Sequence, residues 1–414
     1  MMTVRPDIAA PDAPTTVENA DITVVGGAGH VGIPLVLALA EAGMRVNIND
    51  LNQANLDTLQ AGRLPFIEDG AERALAKALG AKRLVFTNSP DRVSTPGPVI
   101  ITIGTPIDEF LNPVRRVVQA CVDALLPRLA DGQLIVLRST VFPGTTDWLA
   151  AYLETQGRKM KVAFCPERVV QGFGLKELRA MPQIVSGCTP EAERGAIDLF
   201  ERITPEVVVV SPLEAEFAKL FSNAYRYIEF AATNEFYLVA KSAGVDYQRV
   251  LTAMKHNYPR LKSMPRPGFA AGPCLVKDTM QLSAFARNQF GLGHAALLIN
   301  EGLVLHVIDD LKRRFDLAKT TIGLLGMAFK AESDDTRASL SYKFKNVLTS
   351  QARAVLTTDP FVTTDPQLLP LAEVIERSDL LILCAPHAAY RTADFKGKPV
   401  VDVWGELQGA NIIR

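Results

Sequence analysis

Cys274 closes the glycine-rich stretch Pro267-Gly268-Phe269-Ala270-Ala271-Gly272-Pro273 and opens a helical pattern that begins Leu275-Val276-Lys277-Asp278. A helix N-terminus presents unpaired N–H groups and a partial positive charge, so a thiol placed there is expected to ionise more readily and to serve as a nucleophile. The plainer role for such a cysteine is that of a small buried hydrophobe. Upstream, Lys219 and Asn223 stand four apart in a run without glycine or proline, hence on one helix face, with Glu216 three residues before the lysine. On many amphipathic helices such a trio is only a solvated stripe. Beside a nucleophile, a lysine and an amide are donors suited to negative charge developing on a substrate oxygen.

A second chemistry is written near the start of the chain. The β-branched run Ile22 to Val25 leads into Gly26-Gly27-Ala28-Gly29-His30-Val31-Gly32, and a helical run follows to about Gly43. Gly27, Gly29 and Gly32 form G-x-G-x-x-G, in which glycines permit a tight turn, close approach of a pyrophosphate to the helix N-terminus, and close packing of helix on strand. The next strand, Arg45 to Asn49, ends at Asp50. A carboxylate there accepts hydrogen bonds from a ribose 2′-OH and repels a 2′-phosphate, so the expected cofactor is NAD in preference to NADP. His30, inside the turn, is read as a backbone contributor. The glycines also fit G-x-x-G-x-x-G through Gly26, Gly29 and Gly32, the pattern of short-chain dehydrogenases and sugar-nucleotide epimerases, which requires Tyr-x-x-x-Lys on a helix. Tyr258 and Lys262 have that spacing, but Pro259 biases the tyrosine away from helical geometry.

Those residues must be positioned by several domains. The 414 residues, 48% hydrophobic and 21% charged, suffice for two or three cores. The net charge of -1 offers no global field to nucleic acid or an anionic membrane, so a small ligand met by local Lys and Arg is expected. The cysteines Cys121, Cys165, Cys188, Cys274 and Cys384 are scattered and odd in number, which argues against a disulfide framework or a zinc site and for a reducing cytoplasm. Residues 1–20 read as a disordered tail and not a signal peptide, and the apolar runs, such as Pro98 to Ile103, are too short to span a bilayer.

The patterning predicts an α/β chain with two Rossmann-like, doubly wound parallel sheets. Strand-like runs at Ile22 to Val25, Val99 to Ile103, Leu134 to Leu137, Val162 to Phe164 and Val207 to Val210 alternate with helical stretches. A long helix from Leu213 to about Ala243 opens a helical region. A second alternation follows at Thr321 to Leu325, Ala354 to Thr357, Leu380 to Leu383 and Val400 to Val403. Expected boundaries are 21–210, 211–317 and 318–414.

In this order the motifs resemble those of the nucleotide-sugar 6-dehydrogenases, the family of UDP-glucose, UDP-N-acetylhexosamine and GDP-mannose dehydrogenases. The marks run from Asp21 to Asp402: the Gly27 turn, Gly104-Thr105-Pro106, Arg138-Ser139-Thr140-Val141, Cys165-Pro166-Glu167-Arg168, Lys219 with Asn223, Asn257-Tyr258-Pro259-Arg260, the Cys274 loop, and Gly326-Met327-Ala328-Phe329-Lys330 leading to Asp334-Asp335-x-Arg337. The resemblance implies an NAD-binding domain, a central helical region that dimerises, and a C-terminal domain that holds the nucleotide sugar. It also implies four-electron oxidation of the sugar C6 hydroxyl to a uronic acid for polysaccharide or glycoconjugate synthesis. Two hydrides must leave, the second only after a nucleophile has added to the aldehyde. Cys274 would form the thiohemiacetal and thioester, and Lys219 and Asn223 would stabilise the oxyanion. Glu167 would be the base for hydrolysis, with Thr140 and Asp278 positioning water. By the same resemblance Gly27, Gly29, His30, Val31, Gly32, Asp50, Thr105, Thr140 and Arg337 belong to the cofactor site. Glu167, Lys219, Asn223, Arg260, Phe269, Gly272 and Lys330 belong to the substrate site, while His387 resembles a recurring noncatalytic histidine.

The chain departs from the family pattern in places. Ala271-Gly272-Pro273-Cys274 replaces the usual Gly-Gly-Ser-Cys or Gly-Gly-His-Cys, and proline removes a backbone donor. Gln171 stands where UDP-glucose enzymes often carry a second glutamate. Arg168 resembles the N-acetylhexosamine branch and Lys277-Asp278 the UDP-glucose branch, which leaves the sugar open. The alternatives to the four-electron enzyme are a two-electron dehydrogenase, a sugar-nucleotide epimerase that retains its NAD, and a noncatalytic nucleotide-sugar sensor.

Overall fold

A computed structural model describes residues 20–90, 92–94, 96–108 and 114–414; the expected N-terminal tail, apart from its last residue, lies outside the described residues. Residues 20–105 with 114–217 form one compact unit, and residues 106–108 with 218–414 form another.

The first unit is built on an eight-stranded sheet. Its strands are β1 (Ile22–Val25), β2 (Val46–Asn49), β3 (Leu84–Thr87), β4 (Val99–Ile101), β5 (Leu134–Leu137), β6 (Lys161–Phe164), β7 (Gln183–Gly187) and β8 (Val207–Val209), in the order β3-β2-β1-β4-β5-β6-β7-β8. Strands β3 through β6 are parallel, as crossover helices on both faces require. The order reverses between β1 and β4, the point at which open α/β sheets bind ligands beyond their carboxyl edge. The expected all-parallel sheet is broken at β7, which runs antiparallel to β6. Its connection carries only the short helix Gly174–Leu178 and turns back on itself. The helix Gly32–Glu41 buries every residue from Gly32 to Ala40, and Ile33, Leu35, Leu37 and Leu39 join Val24, Ile48, Ile100 and Val136 in one core.

The second unit carries a five-stranded parallel sheet in the order β10-β9-β11-β12-β13, formed by β9 (Thr321–Leu325), β10 (Ala354–Thr358), β11 (Leu380–Leu383), β12 (Val400–Val401) and β13 (Ile412–Ile413). Here too the order reverses, between β9 and β11. The long helix Pro212–Ser242 passes from the first unit into the second, where Tyr247–Lys255, Leu275–Phe285 and Gly291–Arg314 follow it. Gly291–Arg314 is long and apolar enough to cross a bilayer, contrary to the expectation that the apolar runs are too short. Leu303, Val304, Ile308 and Leu311 instead pack into a core with Ile322, Leu324, Phe344 and Ile382.

Candidate functional site

At the carboxyl edge of the first sheet, the chain leaves β1 through Gly26 in a left-handed conformation (φ 77°). A Cβ on Gly32 would lie 2.5 Å from the Gly26 carbonyl oxygen and 2.6 Å from Gly27 Cα, so only glycine lets the helix start pressed against the turn. Gly29 meets nothing closer than the Gly26 carbonyl at 3.4 Å, leaving its outer face open. Asp50, at the end of β2, accepts the Ala28 N–H at 2.9 Å through one oxygen and the Asn52 N–H at 2.9 Å through the other. This cradle of glycine, helix N-terminus and carboxylate has the donors and the acceptor that could hold a dinucleotide, its pyrophosphate at the turn and a ribose at Asp50. His30 does more than lend its backbone, since its ring contacts Phe66 and Gln171. Thr105, following β4, donates its hydroxyl to the Thr140 carbonyl beyond β5, so two expected ligands meet at the same edge.

Glu167 follows β6 at that edge and is buried. One of its oxygens accepts the N–H groups of Arg168 (2.7 Å) and Val169 (2.9 Å), and the other is ion-paired with Arg138. Arg138 is itself wholly buried: it donates to the Cys165 carbonyl at 3.1 Å and to Gln183 Oε1 at 3.0 Å, and stacks 5.1 Å from the Phe200 ring. Arg138 had no expected role of its own, although a charge within Leu-Arg-Ser-Thr after a buried strand signals a demand for a counterion.

Glu216, aligned by spacing with Lys219, is buried and accepts the N–H of Gly144 (2.5 Å) and both the N–H (2.8 Å) and hydroxyl (2.6 Å) of Thr146. It caps the helix Thr145–Thr155, and burial raises its pKa.

In the second unit, Cys274 occupies the N-cap of Leu275–Phe285, and the Asp278 N–H donates to its carbonyl at 2.9 Å. Pro273 therefore does not remove the thiol from the helix N-terminus: a donor is not needed one residue before the cap. Asp278, fully buried, accepts from Asn223 Nδ2 at 2.6 Å and lies 3.0 Å from Lys277 Nζ. Lys219 and Asn223 are both buried, not solvated. Among the five cysteines Cys274 alone is exposed, yet protein crowds around it: burial pushes its thiol up, and the Asp278 charge adds to that. Lys219, Lys277 and Arg337 pull the other way without prevailing. The helix terminus was expected to favour the thiolate; desolvation and the carboxylate one turn on outweigh it.

The loop before the thiol is pinned from within its own unit. Asn234 grips Gly268 twice, donating to its carbonyl at 3.0 Å and accepting its N–H at 2.8 Å. Phe269 is a core side chain set edge-on against Phe344 at 4.9 Å and Trp404 at 6.0 Å, which leaves its main chain as the part it can offer a ligand. Gly272 (φ 104°) lets Phe329 lie where a Cβ would stand 2.7 Å from the ring. Lys330 closes the loop after β9, which Asp359 braces through the Met327 (2.6 Å) and Ala328 (3.0 Å) N–H groups; His387, fully buried, lies 3.1 Å from the same Asp359 oxygen. Asp359 and Asn234 carried no motif and were missed. Arg337 is bound by Asp335, its Nη2 at 2.6 Å, and its charge reaches Cys274. Arg260 stands apart on the exposed turn Pro259–Leu261, its guanidinium 5.6 Å from the Tyr258 ring. Tyr258 is extended (φ -115°, ψ 95°), so Tyr258 and Lys262 do not form a helical pair.

The chain matches the models of the UDP-glucose/GDP-mannose dehydrogenase family over its NAD-binding domain (residues 20–204), central domain (213–301) and UDP-binding domain (323–408). It is 29% identical to a UDP-N-acetyl-D-mannosamine dehydrogenase of Pyrococcus horikoshii over 89% of this chain and 90% of that one. It is also 29% identical to an NDP-N-acetyl-D-galactosaminuronic acid dehydrogenase of Ralstonia nicotianae, covering 93% and 95%. Among solved structures, a UDP-glucose dehydrogenase of Pyrobaculum islandicum superposes with a TM-score of 0.86 at 27% identity, covering 95% of this chain and 96% of the other.

Proposed function

The chain belongs to the UDP-glucose/GDP-mannose dehydrogenase family and takes NAD as its cofactor, and on that premise we propose that it oxidises the C6 hydroxyl of a UDP-N-acetylhexosamine to the uronic acid through Cys274. The observation that carries the proposal is the exposed thiol at a helix N-terminus beside buried Asn223, Lys219 and Asp278. The names of the relatives from Pyrococcus and Ralstonia favour an N-acetylated sugar over glucose.

Bound NAD supplies a hydride acceptor, and complete oxidation of a primary alcohol needs two molecules of it. The chain's residues do the rest. Lys219 and Asn223 donate to the substrate oxygen as charge develops on it. The Cys274 thiolate adds to the aldehyde carbon, and the resulting thiohemiacetal becomes a thioester when its hydride leaves. Water then cleaves the thioester, releasing the carboxylate and returning the thiol. Asp278, which accepts a hydrogen bond from Asn223, is proposed to orient that water. Glu167 is proposed as the base for that step with Thr140 as a second water ligand, Thr105 and Arg337 as cofactor contacts, and Arg260, Gly272 and Lys330 as substrate anchors. A guanidinium or ammonium group suits a diphosphate.

We also propose that the protein is a cytoplasmic homo-oligomer serving polysaccharide synthesis. All five cysteines are free thiols. Phe221, Tyr225, Phe236 and Val239 are exposed at helical spacing along one face of Pro212–Ser242, a face that a second copy would cover.

Acid quenching during turnover, followed by intact-mass analysis, tests the thiol chemistry. A sugar-nucleotide adduct on Cys274 that accumulates in Glu167→Gln supports it; no adduct in either protein, with uronate still forming, removes it.

A further inference from the structure

The hydrogen bond between Gln171 and His30 has no part in the chemistry above. The Gln171 amide nitrogen lies 3.0 Å from His30 Nδ1, and an amide nitrogen only donates, so the ring accepts there. The His30 ring also lies against Phe66, with centroids 3.8 Å apart and planes tilted by 34°. Two residues on, buried Glu68 accepts the N–H groups of Gly172 at 3.1 Å and Leu175 at 3.0 Å, and the Asp69 N–H donates to the Gly172 carbonyl at 2.8 Å. Three loops of the first unit are thus closed into a ring: the glycine turn through His30, residues 66–69, and the stretch that follows Glu167 through Gln171 and Gly172.

A glycine-rich turn is the least stiff backbone the chain can supply, and the bonds that hold this one, the Gly29 N–H to the Gly26 carbonyl at 3.2 Å and the Ala28 N–H to Asp50 at 2.9 Å, lie before His30. His30 is the largest side chain between Gly26 and Gly32 and ties the turn to structure outside its own strand and helix. We propose that Gln171 and His30 form a positioning pair for the cofactor. Their hydrogen bond holds the turn's N–H groups in the arrangement that receives the pyrophosphate, so part of the ordering cost of binding is met before the dinucleotide arrives. It also makes cofactor affinity depend on the loop that carries Glu167. The proposal concerns NAD binding alone and stands whether or not the thiol chemistry does.

The test is a fluorescence titration of NADH into the full chain without any sugar. Gln171→Leu keeps the bulk and removes the donor; it is expected to weaken NADH by about three- to tenfold, the worth of one hydrogen bond, with an unchanged thermal midpoint. Gln171→Glu offers an acceptor to the other ring tautomer and stays within about twofold of the parent. His30→Ala weakens binding as Gln171→Leu does, and the double variant loses little more, since the two residues act as one. Should Gln171→Leu lower the thermal midpoint, Gln171→Glu and Gln171→Asn carry the test: the shorter amide cannot reach the ring and must bind NADH more weakly. Parent-like affinity in folded Gln171→Leu, or equal affinity in Gln171→Glu and Gln171→Asn, overturns the proposal.

Discussion

Asn223 and Asp278 are joined at 2.6 Å between two helices, the first carrying Lys219 one turn earlier and the second capped by Cys274. The bond gives the buried Asp278 carboxylate a partner and fixes the amide beside the thiol. Asn223→Ala leaves that carboxylate short of a donor and is expected to cost about 1–3 kcal/mol of stability, read as a shift in urea midpoint at constant slope. Asn223→Asp places two carboxylates at hydrogen-bond distance and is expected to lower kcat/KM by about a hundredfold or more. Retention of full activity by Asn223→Asp would remove the oxyanion role.

The Cys274 thiol is raised by burial and then by Asp278, and lowered by Lys219, Lys277 and Arg337. The rate of alkylation by iodoacetamide should therefore titrate above the ordinary thiol range of about 8.5. Asp278→Asn removes a raising charge and must move the midpoint down; Lys219→Met removes a lowering charge and must move it up. Shifts in the opposite directions contradict this electrostatic picture.

That alkylation should also be selective. Burial pushes Cys121 up to about 11 and Cys165 and Cys188 to about 12, with Cys384 higher still. One modification per chain, mapped to Cys274 by peptide mass, is the expected early product at pH 8.

Much of this architecture was legible because each sheet repeats a short apolar strand before a helix, and Gly27 and Gly32 carry steric demands that other residues cannot meet. Strand β7 was not legible: Gln183 and Ser186 are polar, and only the fold reveals that Gln183 answers Arg138 and that Ser186 donates to the Phe164 carbonyl. The Lys219–Asn223 spacing revealed a shared face, but not that the face is buried or that Asn223 is bound to Asp278. Asn234 and Asp359 act through loops distant in sequence, Gly268 and Met327-Ala328, so no local spacing could announce them. The ionisation of Cys274 was misjudged for the same reason: the helix terminus is a local signal, whereas desolvation is set by the whole unit.

Asp50 should decide between dinucleotides. Asp50→Ser removes the charge that repels a 2′-phosphate together with the acceptor for the Ala28 N–H, so KM for NAD should rise by about tenfold while NADP becomes usable. Unchanged exclusion of NADP would place the discrimination elsewhere.

The apolar face of Pro212–Ser242 predicts a mass effect. Tyr225→Glu combined with Phe221→Glu should convert the oligomer to monomer by light scattering, with the fold retained in circular dichroism, because both side chains are exposed in the single chain. A wild-type monomer at micromolar concentration would dispose of the proposed second copy.

The central claim is four-electron oxidation through one thiol, and the count of NADH formed per sugar nucleotide consumed tests it most directly. With UDP-N-acetylmannosamine, UDP-N-acetylgalactosamine and UDP-glucose offered separately in excess NAD, a ratio of about two is expected on one N-acetylated sugar, and Cys274→Ala should form no uronate. A ratio of about one, or undiminished uronate from Cys274→Ala, would contradict the account.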